Sequence, residues 1–218
     1  MKRPPMFVGR LDAVRRYPVK SLRGESLDGA DIGWSGIPGD RASAFFVRDG
    51  NARVGKTYRG KEHDRLHLIA DARAARRAAG ERGVEVELRA GDHFFDAAPV
   101  SIVIDRWLEG LSDEVGYAVE WERFRPNFFV RAAADFAATE SDLVAADLRM
   151  GTVRLRVRSP IERCVTITYH PRGEKSDPRI LRFLAEQRNA WMGIYCDVLE
   201  PGRTHVGDSL VREAPLHA

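Results

Sequence analysis

Ser159-Pro-Ile-Glu-Arg-Cys-Val-Thr-Ile-Thr-Tyr169 is the stretch to which the rest of this chain can be related. The β-branched and aromatic residues from Val165 to Tyr169 predict a strand, with Cys164 at its start. A lone cysteine beside an apolar strand is often a buried core residue. Arg163 could favour its thiolate form, but neighbours in a strand point to opposite faces. The rest of the chain must therefore decide the role of Cys164.

Length and composition predict a globular protein with one large domain or two small ones. The chain has 218 residues, 44% of them hydrophobic and 31% charged, and a chain of this length can bury most of its surface. Its formal net charge is only +3, and no basic run is interleaved with aromatic residues. A solvated surface is therefore favoured over a nucleic-acid interface, while an anionic small ligand remains compatible.

The two cysteines exclude several common uses of this residue. Cys164 and Cys196 lie far apart and form neither a disulfide framework nor a CxxC zinc or iron–sulfur pattern. Cys196 lies in an apolar run and is predicted to be a core residue. No apolar segment follows the basic start at Met1–Met6, and none approaches 18 residues. We therefore expect a cytoplasmic protein that does not cross a membrane.

Many short strands and few helices predict a mainly β protein, a β-barrel with peripheral helices. Strands or extended segments are predicted near residues 7–18, 27–34, 42–48, 84–89, 119–124, 127–131, 152–157, 165–169, 193–199 and 210–211. Helices are predicted over 72–80, 101–111 and 176–191, and turns at Gly91-Asp92 and Gly207-Asp208.

Two motifs in the first half present cations after a strand or a tight turn. Tyr17-Pro-Val-Lys20-Ser21 places a lysine and a hydroxyl after a strand that ends near Pro18, a combination that suits phosphate. An ordinary surface lysine is the alternative. Gly36-Ile-Pro-Gly-Asp-Arg41 is a tight turn that presents Arg41. A plain hairpin with a solvated Arg41 is the alternative there.

A third motif, Arg123-Phe-Arg-Pro-Asn127, combines an arginine with an amide. Arg125 and Asn127 would share one face of an extended segment, and together they could hold a phosphate and the edge of a heterocycle. A salt-bridged edge strand is the alternative. The histidines show no ligand spacing, and structural or surface roles are expected for His67, His93, His170 and His205.

The order of the motifs resembles one family. Arg163-Cys-x-x-x-Thr168, Gly193-x-Tyr195 and Val206-Gly-Asp208 follow the three motifs above. The set resembles MOSC-domain proteins with an N-terminal β-barrel domain, and is similar to the amidoxime-reducing components and bacterial relatives that lack a fused ferredoxin. The resemblance covers residues 7–213. It implies a smaller N-terminal β domain over 7–100 and a MOSC-type β-barrel with peripheral helices over 101–213.

The resemblance also implies a molybdenum cofactor, molybdopterin, whose metal binds the pterin dithiolene, oxo groups and a protein cysteine. Carried over to this sequence, Cys164 is the expected metal ligand, and soft thiolate sulfur suits a redox metal. Asp208 is expected near the metal as a catalytic residue. The residues expected to hold the pterin and its phosphate are Lys20, Ser21, Arg41, Arg125, Asn127 and Arg163.

The implied activity is a molybdenum-dependent oxidoreductase that reduces N-oxygenated compounds such as hydroxylamines and amidoximes. Its electrons would come from a separate donor protein of the flavin or ferredoxin type. MOSC domains also resemble the C-terminal part of molybdenum-cofactor sulfurases, so sulfur transfer through a Cys164 persulfide is one alternative. A non-enzymatic cofactor carrier is another. Ser101–Asp105 and Tyr169-His-Pro171 depart from the family's usual sequence, which bears on the substrate.

Overall fold

A computed structural model describes residues 5–91 and 93–214 of the chain. Its strands are β1 (Met6–Arg16), β2 (Glu25–Leu27), β3 (Gly29–Ile32), β4 (Ser43–Gly50), β5 (Val84–Ala90), β6 (Val100–Ile104), β7 (Phe128–Ala132), β8 (Asp147–Met150), β9 (Val153–Glu162), β10 (Trp191–Glu200), β11 (Gly202–His205) and β12 (Ser209–Arg212). Its α-helices are α1 (Ala72–Gly80), α2 (Glu109–Val115) and α3 (Arg179–Gln187). Asp92, predicted to form a turn with Gly91, lies outside the described residues.

Seven strands close into a β-barrel, which confirms the predicted fold class. They follow the order β12-β8-β9-β10-β6-β7-β1, and β12 pairs back onto β1. Neighbouring strands are antiparallel except β6 and β7, which run parallel. Closure pairs each of these seven strands on both sides. The second strand, β2, extends the sheet beside the last residues of β1.

Strand β6 corrects the helix predicted over residues 101–111. All five residues from Val100 to Ile104 are buried, because β6 lies between β10 and β7 inside the barrel wall. A short apolar run that is buried on both faces has no clear period, and it cannot be told from a helical segment by pattern alone. The helical part begins only at a 3₁₀ turn over Asp105–Leu108 and continues as α2.

The segment after Cys164 is a 3₁₀ turn over Val165–Thr168, so the strand predicted over 165–169 is wrong. The amide of Ile167 donates to the carbonyl of Cys164 at 3.2 Å. The hydroxyl of Thr168 donates to the carbonyl of Val165 at 2.8 Å. Threonine side chains that bond nearby backbone compete with strand pairing. Cys164 therefore lies in a bend after β9, and not in a strand.

Two further predicted elements need correction. The segment 119–124, predicted to be extended, contains a 3₁₀ turn over Trp121–Phe124. The helix predicted over 176–191 covers only α3, and Asn189 and Ala190 adopt positive φ after it. That reversal lets Trp191 begin β10, and residues after a helix often adopt such angles.

The hydrophobic residues form two clusters. The larger fills the barrel and draws on β1 as well as on the strands after residue 99. The smaller contains Phe45, Tyr58 and Leu66 and draws all its residues from the first 88. It packs under α1, whose first turn is capped when Asp71 accepts from the amide of Ala74 at 2.8 Å. The boundary between two domains at residue 100 stays a prediction. Strand β1 lies before that boundary but belongs to the barrel. No helix within residues 5–91 and 93–214 is long and apolar enough to cross a membrane.

A buried ion pair fixes the start of β10 inside the barrel. Both carboxylate oxygens of Glu140 accept from Nη2 of Arg188, at 2.7 and 2.6 Å. One of them also accepts from the amide of Gly193 at 3.2 Å. Arg188 donates in addition to the carbonyl of Trp107. Removing one partner of such a pair leaves an uncompensated charge in the protein interior.

We therefore predict that Glu140→Ala lowers the free energy of unfolding by about 3–5 kcal/mol. Glu25→Ala serves as the matched control, because Glu25 pairs with Arg16 on the surface. That change should cost less than about 1 kcal/mol. Urea unfolding of the two variants measures both values. Equal destabilisation by the two changes would show that the buried pair has no special structural role.

Candidate functional site

A cavity of about 720 Å³ lies beside the barrel and is lined by residues from the last part of β1 and of β9 and from the segment before β7. Seven of the eight residues expected from the sequence line it: Lys20, Ser21, Arg41, Arg125, Asn127, Arg163 and Cys164. They come from four separate segments of the chain. The antiparallel pairing of β1 with β7 brings the segment after β1 next to the segment before β7, and the hydrogen bond from Arg163 to the carbonyl of Phe124 adds the segment after β9.

Cys164 is held on the wall of this cavity by its neighbour Arg163. Nε of Arg163 donates to the carbonyl of Met192 at 2.7 Å, and Nη1 donates to that of Phe124 at 2.9 Å. These bonds tie the backbone before Cys164 to two other segments. The cysteine is half-buried, and its Sγ lies 3.3 Å from Oγ1 of Thr166.

The remaining nitrogen of Arg163, Nη2, is buried and has no hydrogen-bond partner among the described residues. Burial lowers the pKa of Arg163 to about 10, because a charged group loses hydration there. Its two hydrogen bonds go to neutral carbonyls, and Arg163 has no ion pair with a carboxylate within residues 5–91 and 93–214. An anion in the cavity would offset part of this cost.

Arg41 and Arg125 lie over the ring of Tyr17. Their guanidinium carbons are 4.8 and 4.3 Å from the ring centroid, which is the geometry of cation–π contacts. The Tyr17 hydroxyl donates to the carbonyl of Pro126 at 3.1 Å, and Arg125 donates to that of Leu22 at 2.6 Å. Burial lowers the pKa of Arg125 to about 10. Tyr17 thus supports two cations that face the same cavity.

Arg41, unlike Arg125, has a carboxylate partner. Asp40 accepts from Nη1 of Arg41 at 2.5 Å and from the amide of Tyr17 at 2.7 Å. Burial acts to lower the pKa of Arg41, but the charge and hydrogen bond of Asp40, together with Tyr17 and Asp96, raise the pKa overall. The turn that carries both residues packs closely against Pro99. A Cβ on Gly36 would lie only 2.4 Å from the carbonyl oxygen of Pro99.

Three of the cavity residues adopt backbone angles that L-residues rarely adopt. The φ values are 70° for Ser21, 48° for Arg41 and 51° for Arg125. Each such residue costs roughly 1–2 kcal/mol relative to an ordinary conformation, and strain of this kind clusters at functional sites. The predicted strand parity of Arg125 and Asn127 is wrong, since Arg125 lies in this left-handed conformation before β7 begins.

Lys20 and Asn127 have partners within the protein. Nζ of Lys20 donates to Oδ1 of Asp96 at 2.6 Å. The side chain of Asn127 is buried, accepts from the amide and hydroxyl of Ser101 at 3.1 and 2.9 Å, and donates to the carbonyl of Arg15 at 3.3 Å. Asn127 therefore joins β1, β6 and β7 at the base of the cavity.

Asp208 does not line the cavity, which contradicts the expectation that it is near Cys164. Its carboxylate accepts from the Thr204 hydroxyl at 3.1 Å and the His205 amide at 2.8 Å, and so closes the turn before β12. It lies beside Gly151, before the start of β9. Cys164 follows the other end of this ten-residue strand, which spans roughly 30 Å.

Several further residues of the cavity were not among the predicted site residues. Arg59, Lys61, His67, Tyr169 and Tyr195 all line the cavity. The rings of His67 and Tyr169 stack with centroids 6.1 Å apart, and Nε2 of His67 lies 2.9 Å from the carbonyl of His170. Burial lowers the pKa of His67. Tyr195 belongs to the Gly193-x-Tyr195 motif, and that motif was the signal by which it could have been found.

The fold and the cavity define a class: a closed β-barrel with a cysteine and several part-buried arginines around one cavity. Residues 90–211 match the MOSC domain. This is more than half of the chain, and the chain therefore belongs to the MOSC family, which is associated with molybdenum-cofactor-binding and sulfurase-type enzymes.

Solved structures share this fold at low sequence identity. The YuaD protein from Bacillus subtilis is 16% identical with a TM-score of 0.60, and the match covers 99% of this chain and 100% of that one. YiiM from Geobacillus stearothermophilus is 12% identical with a TM-score of 0.48, covering 96% and 75% of the two chains. At 16% identity the likeness to YuaD shows the fold alone. No curated protein matches the chain.

We predict that inorganic pyrophosphate stabilises the cofactor-free protein through these cations. At 100 times its Kd it should add about 2.7 kcal/mol to the free energy of unfolding, and thermal unfolding measures the effect. Arg125→Met should lose most of this stabilisation, because it removes a cation that has no ion pair with a carboxylate among the described residues.

Asp208→Asn is the matched control, since Asp208 lies away from the cavity, and it should keep the full effect of pyrophosphate. Equal stabilisation of Arg125→Met and the unchanged protein would contradict an anion site at Arg125.

Proposed function

We propose that this protein is a molybdenum-cofactor-dependent oxidoreductase that reduces N-oxygenated compounds such as hydroxylamines and amidoximes. The observation that supports it most is a half-buried thiol in one cavity with Arg125 and Arg163, two cations that form no ion pair within the part of the chain that the structure describes. Cys164 offers a soft donor for a redox metal. Arg125 and Arg163 offer positive charge for an anionic pterin.

The residues present fit such a cofactor. The orphan Nη2 of Arg163 and the two guanidinium groups over Tyr17 suit a phosphate and its neighbouring polar edge. Cys164 supplies one thiolate, and the pterin dithiolene and oxo groups would supply the other donors. When bound, the metal would supply the two-electron redox chemistry.

The protein's own residues would bind, orient and shield the reactants. The carbonyls of Met192 and Phe124 fix Arg163, and thereby the direction in which Cys164 faces the cavity. Tyr195 lines the same wall, and burial raises the pKa of its phenol, so the phenol keeps its proton at neutral pH. It could donate a hydrogen bond to the oxygen of a substrate.

The overall reaction balances with two electrons and two protons. The N–O bond of an amidoxime breaks, the oxygen leaves as water, and an amidine remains. The two electrons would come from a separate donor protein of the flavin or ferredoxin type. Because amidines are protonated at neutral pH, the surrounding cations would repel the product and favour its release.

We predict near-stoichiometric molybdenum and pterin in protein purified from a host that makes the cofactor. Cys164→Ala should lose the metal, and Lys20→Ala should retain less pterin while staying folded. Elemental analysis, pterin fluorescence and circular dichroism measure these quantities. Reduction of benzamidoxime with a chemical electron donor then tests the activity.

Other outcomes distinguish the alternatives. Protein that never holds metal but carries cyanide-releasable sulfur on Cys164 would replace this proposal by sulfur transfer. Bound metal without reduction of any hydroxylamine or amidoxime would indicate a cofactor carrier. Full metal occupancy in Cys164→Ala would refute the ligand assignment.

A further inference from the structure

The turn Arg59-Gly60-Lys61 lies against the bend that carries Cys164. A Cβ on Gly60 would approach Cγ2 of Thr166 to 2.7 Å, so only glycine allows this contact without a shift. The hydroxyl of the same Thr166 lies 3.3 Å from Sγ of Cys164. The two cations beside Gly60 therefore enter the cavity next to the cysteine, from a segment that carries none of the motifs.

Arg59 has only partial compensation for its charge. Its nearest carboxylate, that of Glu62, is 3.7 Å from Nε of Arg59. Glu62 is shared with Arg53, at 3.2 Å. Nε of Arg59 is buried and has no hydrogen-bond partner in the described part of the chain. Arg59 also helps to hold the pKa of Asp96 low, although burial of Asp96 acts in the opposite direction. Its charge thus reaches into the cavity.

Lys61 is exposed at the cavity wall. Across residues 5–91 and 93–214, no carboxylate lies within ion-pair distance of it. A lysine ammonium on a flexible stem can follow ligands of different shapes. Lys61 and Arg59 are therefore suited to an anionic group on a small molecule.

These two cations differ from the ones that would hold the cofactor. Arg41 and Arg125 are stacked on Tyr17 and bonded to the backbone, which fixes them for one constant ligand. Arg59 and Lys61 lie in a separate turn and keep donors free. A constant ligand favours fixed groups, whereas an exchanging substrate favours accessible ones.

We propose that Arg59 and Lys61 form a substrate subsite for an anionic group, so that the protein prefers N-oxygenated compounds that carry a carboxylate or a phosphate. This inference rests on the proposed function for the identity of the reacting group. The anionic group would bind beside Thr166, which would place the N–O bond of the same molecule toward Cys164.

The test compares benzamidoxime with 4-carboxybenzamidoxime, which differ by one carboxylate. In cofactor-loaded protein with a chemical electron donor, the carboxylated compound should have a KM about tenfold lower, as one charge-assisted hydrogen bond allows. The double variant Arg59→Gln/Lys61→Met should bring the two KM values together. Lys56→Met removes an exposed lysine from the same loop outside the cavity, and this control should keep the preference.

A binding measurement separates this inference from the proposed function. Benzamide and 4-carboxybenzamide resemble the two substrates but cannot be reduced. Isothermal titration calorimetry on the loaded protein should show about tenfold tighter binding of the carboxylated amide, a difference that shrinks in high salt. It should vanish in the double variant and persist in Lys56→Met.

The outcomes are distinct. Discrimination between the amides without any amidoxime reduction would retain the anionic subsite and refute the proposed reductase. Reduction of both amidoximes with equal KM, and equal affinity for both amides, would refute the subsite while the reductase stands. A preference that survives in the double variant would assign the anion to other residues.

Discussion

The cavity depends on the two hydrogen bonds that the guanidinium of Arg163 donates to backbone carbonyls. This guanidinium joins the carbonyl of Phe124, before β7, to that of Met192, in β10, and so sets the backbone that leads into Cys164. A charge placed against neutral carbonyls inside a protein costs free energy, which the lowered pKa of Arg163 reflects. The fold tolerates this cost because the closed barrel fixes both partners.

The same cost recurs at Arg125, and it gives the cavity its chemical character. A cation held in place without a carboxylate is preorganised for an anion, because no internal partner must first be displaced. The left-handed backbone at Arg125 and Ser21 adds strain at the same place. Stability given up around one cavity is typical of a binding site. Cys164 lines the same cavity.

Most strands of the barrel and most predicted residues of the cavity could be predicted from the sequence. The predictions were wrong where tertiary contacts determine the local structure. Seven of the eight residues predicted from the motifs line one cavity. The prediction for Asp208 was wrong, because the order of motifs along the chain does not show which motifs are close in space. The apolar runs of Val100–Ile104 and Val165–Thr168 were misread, since short runs fit strand and helix alike. The turn at Gly60 gave no signal, because its contact with Thr166 joins segments far apart in sequence.

The most direct test of the central claim, that Cys164 and the surrounding cations hold a molybdenum pterin, is X-ray absorption at the molybdenum edge. Protein purified with cofactor should be compared with Cys164→Ser, in which the arginines remain to hold the pterin. The account predicts one fewer sulfur neighbour of the metal in the variant, replaced by a lighter atom. An unchanged number of sulfur neighbours at full occupancy would contradict it.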